Sequence, residues 1–272
     1  MRAARVWERW FVERGELGPA AARELVLSLG EIRDRIIAGA DIRGGASVVD
    51  LGCGRGLLTF AAADAAGSKG TVVGLDVDEG ALAAAAPLAE QAGVHLVRGD
   101  ARGAPLGSSC ADCVVWRSIL VYMESREEAI AEAWRVLRPG GRLSFSESLG
   151  RELDLPVRDA GLRDLWEALK EFSWAALGDA AFTPDVLEGL VEKAGFDLVH
   201  ARRERRRTRL PDERAVRGFF DDAPPGGLSL TGIWRASGIE QNVIESFLNA
   251  LGSATPLLLE TPEAYLTARK PR

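Results

Sequence analysis

The sequence predicts an α/β fold in which a mostly parallel, doubly wound sheet is covered by helices on both faces. Short apolar runs alternate along the chain with longer segments of helical periodicity, which is the pattern of a parallel sheet. A glycine-rich turn joins the first apolar run to the first of these helices. The length of 272 residues, 47% of them hydrophobic, favours one large domain with insertions over two independent domains.

Five apolar runs are the predicted core strands, and two later runs close the sheet. The core strands are expected at residues 47–51, 71–76, 94–98, 112–116 and 143–147, and the closing strands at 196–206 and 264–269. Helices are expected between the core strands at 57–66, 79–92 and 126–137. Ser125 is the predicted N-cap of the last of these helices, with Glu128 completing a capping box.

The segments outside the core strands are predicted to be largely helical. Residues 1–45 repeat apolar side chains at helical spacing, so we expect helices that cover the core. A helical lid insertion is expected at 150–182, a continuation of the core at 183–208, a cap insertion at 209–262 and the final strand at 263–272. The cap insertion is too long for a plain loop, so it should contain a helix near residues 241–251.

Composition and charge argue against several classes of protein. The net charge of −6 and the sequence pI near 5.2 lack the basic footprint of a nucleic-acid-binding protein. The N-terminus is charged and aromatic, and no window of 18 uncharged apolar residues occurs, so the predicted compartment is the cytoplasm. The three cysteines, Cys53, Cys110 and Cys113, are expected as reduced thiols, and no metal site is predicted.

Ligand binding is predicted at the junction of the first strand and its helix, where Asp50 precedes Gly52, Gly54 and Gly56. Glycines at alternate positions let a ligand approach the backbone, and the following helix presents unpaired N–H groups. A tight turn without a ligand would explain the same glycines, so the later residues carry the argument. Asp76 ends the second strand 20 residues after Gly56, where a carboxylate can accept hydrogen bonds from ribose hydroxyls.

Four spaced motifs resemble those of the class I S-adenosylmethionine-dependent methyltransferases: Asp50-x-Gly52-x-Gly54-x-Gly56, Asp76, Gly99-Asp100-Ala101 and the run from Arg135 to Gly141. The resemblance covers residues 48–149 and implies a seven-stranded sheet with the last strand antiparallel. It also implies S-adenosylmethionine as cofactor, with its methionine part at the glycine turn, its ribose on Asp76 and its adenine at Asp100 and Ala101. The cofactor-binding residues expected from it are Asp50, Gly52, Cys53, Gly54, Gly56, Asp76, Val77, Asp100, Ala101, Trp116 and Arg117.

Two other classes of protein stay open at this point. A nicotinamide-dependent oxidoreductase also uses a ribose-binding acid, but its turn places the third glycine where this chain has Leu57. The sequence also lacks a Tyr-x-x-x-Lys motif for hydride transfer. A protein that binds the cofactor without catalysing a reaction is the third class, and the sequence does not exclude it.

Methyl transfer needs chiefly the alignment of the acceptor with the S–CH₃ bond, plus removal of a proton where the acceptor is an alcohol. The candidate bases are Glu147 at the end of the fifth strand, Tyr122 just after the fourth and His200 in the sixth. Glu147 is preferred because the carboxyl ends of strands line the cleft in such sheets. The aromatic residues expected to enclose the substrate are Trp166, Phe172, Trp174 and Trp234.

The predicted acceptor is an oxygen or nitrogen atom of a small molecule or peptide, and the elaborated cap suggests specialised metabolism. The arginine-rich run at residues 202–209 is interpreted as a charged edge strand that discourages pairing with other sheets. The alternative is a strip that binds an anionic substrate or a peptide. Nucleic acid is disfavoured because no aromatic residues interleave with the arginines.

Overall fold

The computed structural model describes residues 2–13, 19–123, 125–149, 153–177, 183–221 and 229–272, without the side chains of residues 19–21 and 174–177. Its strands are β1 Ser47–Leu51, β2 Thr71–Asp76, β3 His95–Arg98, β4 Ala111–Arg117, β5 Leu137–Ser148, β6 Asp197–Leu210 and β7 Leu257–Arg269. They form one sheet in the order β3-β2-β1-β4-β5-β7-β6. β1 to β5 pair in parallel, whereas β7 is antiparallel to both β5 and β6. The predicted fold class is therefore confirmed.

Helices cover both faces of this sheet. They are α1 Ala3–Glu13, α2 Pro19–Ala40, α3 Leu57–Ala66, α4 Glu79–Ala92, α5 Arg126–Val136, α6 Ala160–Leu177, α7 Pro184–Lys193, α8 Glu213–Asp221, α9 Leu230–Ala236 and α10 Gln241–Ser253. α1 to α4 pack on one face, around Ile32, Phe60 and Leu88, and α5 and α7 pack on the other, around Ile130 and Leu187. No described helix has the length and apolarity that a bilayer span requires.

β6 and β7 are longer than predicted and form an arm that extends past the end of β5. Their pairing runs from Asp197↔Arg269 to Leu210↔Leu257, whereas β5 leaves the sheet at the level of Glu263. Arg205 and Arg207 reach across the arm to Glu260, with N–O distances of 3.3 and 3.1 Å. In β6 the charged residues hide the alternation that marks a strand, and in β7 Pro262 interrupts it, which is why the predicted strands stopped at 206 and began at 264. β6 is the last strand of the sheet, so the arginine-rich run is an edge strand as predicted.

Four cap helices, α6, α8, α9 and α10, pack over this arm. Their core is the aromatic cap cluster, which we define as Trp166, Phe220, Trp234 and Phe247, with ring centroids 5.6–6.1 Å apart for the contacting pairs. The predicted helix at 241–251 is α10. Residues 150–152 and 178–182 of the predicted lid insertion lie outside the described residues.

The predicted capping box at the start of α5 is wrong. Ser125 occupies the N-cap position, but its side chain makes no capping hydrogen bond with the described residues. Glu127 and Glu128 lie in the first turn instead, where negative charge is favourable against the helix dipole. In α9, by contrast, Ser229 accepts the N–H of Gly232 at 3.0 Å and caps the helix.

Candidate cofactor and acceptor site

The turn between β1 and α3 places three glycines in left-handed backbone conformations. Gly52, Gly54 and Gly56 have φ values of 65°, 51° and 92°. A Cβ on Gly52 would lie 2.4 Å from Ile119 Cγ2, and one on Gly56 would lie 2.3 Å from the Phe60 ring. Apart from Gly54 itself and its two chain neighbours, no described residue has an atom within 4 Å of the corresponding position on Gly54. Gly52 and Gly56 are therefore required by packing, and Gly54 is the glycine that faces open space.

Two carboxylates stand beside this turn. Asp76 accepts the N–H of Gly54 at 2.7 Å and that of Asp78 at 2.9 Å. Asp50 is fully buried and accepts the Thr59 hydroxyl at 2.5 Å through one oxygen, whereas its Oδ1 has no partner among the described residues. Burial, with added repulsion from Asp76, raises the pKa of Asp50 to about 7.

These features fit S-adenosylmethionine. Each carboxylate oxygen has two lone pairs, so Asp76 can still accept ribose hydroxyls while it holds the turn. The unpartnered oxygen of Asp50 suits a donor such as the amino group of the methionine part. The open space at Gly54 lets a ligand reach the backbone. We call Asp50, the turn from Gly52 to Gly56, Asp76 and Asp100 the cofactor edge.

The end of β3 lies at the same edge of the sheet. Gly99 donates its N–H to the Asp76 carbonyl at 3.0 Å, which ties this loop to β2. The Asp100 carboxylate pairs with Arg102 at 2.6 Å, and this hydrogen-bonded contact lowers the pKa of Asp100. Ala101 is buried, whereas the Val77 side chain is 54% exposed beside Asp76. An exposed apolar side chain at this position would provide a surface for a flat ring.

At the end of β4, the side chains of Trp116 and Arg117 lie on opposite faces of the sheet. Trp116 is fully buried, stacks on Phe145 with ring centroids 4.3 Å apart, and donates its indole N–H to Glu147 at 3.0 Å. It lies inside the core and is not exposed at the cofactor edge. Arg117 points to the other face, and its Nε has no partner among the described residues.

Glu147 is buried and anchors a neighbouring segment, so it does not line an open cleft. Its Oε1 accepts the N–H groups of Ile119 and Leu120, at 3.0 and 3.1 Å, as well as that of Trp116. Burial raises the pKa of Glu147 to about 8. Since Ile119 packs directly on Gly52, this carboxyl fixes the segment that supports the turn from Gly52 to Gly56, which we call the cofactor turn.

The other two candidate bases lie in different places. Tyr122 ends the short 3-10 turn Leu120–Tyr122 and is 57% exposed, so its side chain is accessible near the end of β4. His200 pairs with Thr267 on β7, level with Ser144 of β5. That position is three residues, or about 10 Å, before Glu147 along the strand direction. There it lines a groove of about 310 Å³ with Arg35 and Tyr265, on the face covered by α2.

The structure places the predicted substrate-enclosing tryptophans in the interior of the cap. Trp166 and Trp234 are 1% and 0% exposed and belong to the aromatic cap cluster. Trp234 donates its indole N–H to Leu169 O and Ser173 Oγ, at 3.0 and 2.7 Å. Phe172 is 45% exposed on α6, and the side chain of Trp174 lies outside the described residues.

Sequence reasoning missed three residues that build the cofactor edge. Thr59 was visible in principle, because it and Asp64 are the two polar residues in the helix that follows the glycine turn. Trp7 donates its indole N–H to Arg55 O in the cofactor turn at 2.8 Å, and α1 is held by Asp64, which accepts the N–H groups of Ala3 and Ala4. Ile119 supports Gly52. No local signal predicts the contacts of Trp7 and Ile119, because each joins segments distant in sequence.

Comparison with known proteins gives the class to which this fold and site belong. Residues 49–145 match a family described as a methyltransferase domain. The demethylmenaquinone methyltransferase of Lactococcus lactis is 32% identical over 170 residues, which are 57% of this chain and 67% of that protein. The chain belongs to the class I S-adenosylmethionine-dependent methyltransferases. It is an enzyme whose methyl donor is S-adenosylmethionine.

Further relatives extend the similarity beyond the core. The nocamycin O-methyltransferase of Saccharothrix syringae is 28% identical over 250 residues, covering 86% of this chain and 89% of that protein. An uncharacterised 37.1 kDa protein in a transposon of Streptomyces fradiae is 37% identical over 108 residues, but these span 31% of that protein and 39% of this chain. Among solved structures, the YcgJ protein of Bacillus subtilis covers 90% of this chain and 99% of its own, with a TM-score of 0.59 and 14% identity. The last similarity concerns the fold alone.

Proposed function

We propose that the protein transfers the methyl group of S-adenosylmethionine to an oxygen atom of a small molecule of specialised metabolism in the cytoplasm. The observation that carries this proposal is the extent of the similarity to the nocamycin O-methyltransferase, which covers 86% of this chain. An alignment of that length includes most of the chain outside the core as well as the cofactor edge. The segments outside the core determine which acceptor fits, because the cofactor edge serves the donor.

The cofactor supplies an activated methyl group when bound, so the protein's own contribution is chiefly positioning. Asp76 and the turn from Gly52 to Gly56 would orient the donor, and the buried Asp50 would accept a hydrogen bond from its methionine part. Glu147 would act indirectly, as a positioning residue, because it holds Ile119 against Gly52. Tyr122 remains a candidate for contact with the acceptor, since its side chain is accessible.

The test is a reaction with donor labelled in the methyl group by carbon-13 and deuterium. The enzyme is incubated with a microbial small-molecule extract, and products that carry the label are found by mass spectrometry. Carbon-13 NMR of each product then distinguishes an oxygen-bound methyl from a nitrogen-bound one. We expect labelled O-methyl products with wild type and at least a tenfold lower rate with Asp76→Ala at limiting donor. Label on nitrogen, or on peptides alone, would contradict the proposal.

A further inference from the structure

A second group of buried polar side chains lies beside the cofactor edge, on the sheet face covered by α2. Arg117 ends β4 and pairs in register with Ser146 of β5, and Ser148 pairs with Glu263 of β7. Side chains alternate along a strand, and Ser144 donates to Ile36 O in α2. Arg117, Ser146 and Glu263 therefore point to this same face.

Several atoms of this group have no hydrogen-bond partner in the described part of the chain. They are Arg117 Nε, Ser146 Oγ and Glu263 Oε2, and both Ser146 and Glu263 are 0% exposed. Thr261 Oγ1 and Ser118 Oγ nearby also lack a hydrogen-bond partner among the described residues. Leaving a buried polar atom unpaired costs roughly 1–3 kcal/mol, so a cluster of them indicates a bound group that completes it.

The charge of this cluster is positive. Arg206, with a side chain 10% exposed, lies 3.4 Å from Glu263 Oε1 and donates to Ser28 Oγ at 3.0 Å. Burial raises the pKa of Glu263, whereas the charges of Arg117 and Arg206 oppose that rise. Two guanidinium groups face one carboxyl, so an excess of positive charge remains whether Glu263 is ionised or not. Such a site favours an anion with planar oxygen acceptors.

The cluster lies at the same level of the sheet as the turn that would hold the methyl donor. Asp50 of β1 pairs with Val115 of β4, so Arg117 lies at the level of Gly52 in the cofactor turn. The next residue, Ser118, has a φ of 50°, which is uncommon for a residue other than glycine. Backbone strain of this kind is typical of functional sites. Glu147 lies on the opposite face of the sheet from Arg117, where it accepts the Trp116 N–H and keeps its Oε2 without a partner in the described structure. Glu147 and the distant His200 are therefore poorly placed to remove a proton from an acceptor bound at this cluster.

We propose that Arg117 and Arg206 bind the ionised oxygen-bearing group of the acceptor, so that the substrate is an acidic small molecule. This inference rests on the proposed oxygen methylation and names its substrate class: a carboxylic acid or an acidic enol or phenol. The ionised oxygen uses a lone pair to form the O–CH₃ bond while the S–CH₃ bond breaks and its electrons stay on sulfur. The anion and the sulfonium give a neutral methyl product and a neutral thioether centre, and no proton has to be removed.

The experiment uses the anionic compounds of a microbial extract as its probe, namely the fraction retained on an anion-exchange resin at neutral pH. Wild type saturated with S-adenosylhomocysteine is mixed with this fraction or with the unretained fraction. Bound compounds are separated by ultrafiltration and identified by mass spectrometry. The same capture is carried out with Arg117→Met, Arg117→Lys, Glu263→Gln and Arg205→Met, each compared with wild type by thermal unfolding. Arg205 is the matched control, because it pairs with Glu260 on the outside of the arm.

We expect wild type and Arg205→Met to capture the same anions, and Arg117→Met to capture at least tenfold less of them. Arg117→Lys keeps the charge and should lie between the two, which covers the case in which the methionine variant unfolds. Glu263→Gln should capture as much as wild type or more, because it removes the opposing charge. A purely structural cluster predicts loss of stability in Glu263→Gln without such a gain.

Several further results would overturn the inference. They are equal capture by wild type and Arg117→Met, capture of uncharged compounds only, and failure to capture any compound. If Arg117→Met instead loses affinity for S-adenosylhomocysteine while anion capture at saturation is unchanged, Arg117 binds the donor's carboxylate and the proposal is wrong. When S-adenosylmethionine replaces the product, a captured anion that is methylated on nitrogen contradicts the proposed oxygen methylation but leaves the anion site in place.

Discussion

The cofactor edge and the aromatic cap cluster differ in what surrounds their buried side chains. At the cofactor edge, Asp50 keeps an oxygen without a partner in the described structure, and Gly54 faces open space. In the cap, Trp234 is fully buried between other rings, and its indole N–H has two acceptors. The cofactor edge therefore keeps a carboxylate oxygen and open backbone for a ligand, whereas the cap cluster is filled by packed rings, although the Trp166 indole N–H has no partner among the described residues. Aromatic residues in an insertion indicate a cap, but burial decides whether they contact a substrate.

Trp234→Ala should have the largest effect on stability and tests the structural role of the cap cluster. Removal of a fully buried tryptophan leaves a cavity, so the free energy of unfolding should fall by about 3–5 kcal/mol. Urea denaturation followed by circular dichroism measures it. Phe172→Ala is the matched control, because the ring is 45% exposed, and its effect should stay within about 0.5 kcal/mol. A stable Trp234→Ala variant with a lower rate for the acceptor would place this ring in the substrate site instead.

Asp76→Ala should weaken cofactor binding by about 2–4 kcal/mol, because the ribose loses two hydrogen bonds to a charged acceptor. Calorimetric titration with S-adenosylmethionine and S-adenosylhomocysteine measures the change. Asp112→Ala serves as control, because that carboxylate accepts the Ser47 N–H at the other end of the sheet. Its affinity should match wild type. Equal affinities of the Asp76 variant and wild type would place the ribose elsewhere and remove the main distinction between the two regions.

Glu147→Gln separates a positioning residue from a base. The pKa of Glu147 is raised from 4.5 to about 8, so between these values the folded protein holds a proton that the unfolded chain has released. The free energy of unfolding should therefore fall as the pH rises through this window, on the order of 1 kcal/mol per pH unit. The glutamine variant lacks this contribution, so its stability relative to wild type should rise with pH. Denaturation series at several pH values measure the difference.

The same variant also gives a kinetic outcome. A glutamine oxygen can still accept the N–H groups of Trp116, Ile119 and Leu120, so the rate should fall less than about tenfold. Loss of a general base would lower the rate by about 10²–10⁴ and remove one limb of the pH profile. A loss of that size would return Glu147 to the catalytic role that the sequence suggested.

The smallest effects are expected at two helix N-caps, one in each region. Ser229→Ala in the cap removes a hydrogen bond to Gly232 and should lower the free energy of unfolding by about 1 kcal/mol. Ser125→Ala beside the core removes no capping bond and should stay within about 0.5 kcal/mol. Thermal unfolding of both variants measures the pair. Equal losses would mean that Ser125 caps α5 in solution.

The sequence by itself determined the first half of the core. β1, β2, α3 and α4 begin and end at the predicted residues, because alternating apolar runs and turn glycines are local signals. The same locality identified the glycine turn and placed Asp76 at the edge of the sheet. These features depend on residues close together in the chain, which is the range over which periodicity and turn chemistry act.

Only the tertiary structure decided which of the remaining residues meet. Trp116 and Glu147 are 31 positions apart, and Arg206 and Glu263 are 57 apart, so their contacts depend on strand register and not on local pattern. Periodicity marks an aromatic residue as facing inward but does not tell a packed core from a substrate pocket. For that reason the sequence proposed Glu147 as a base and Trp234 as a substrate contact. Strand pairing and burial instead placed the former under the cofactor turn and the latter in the cap core.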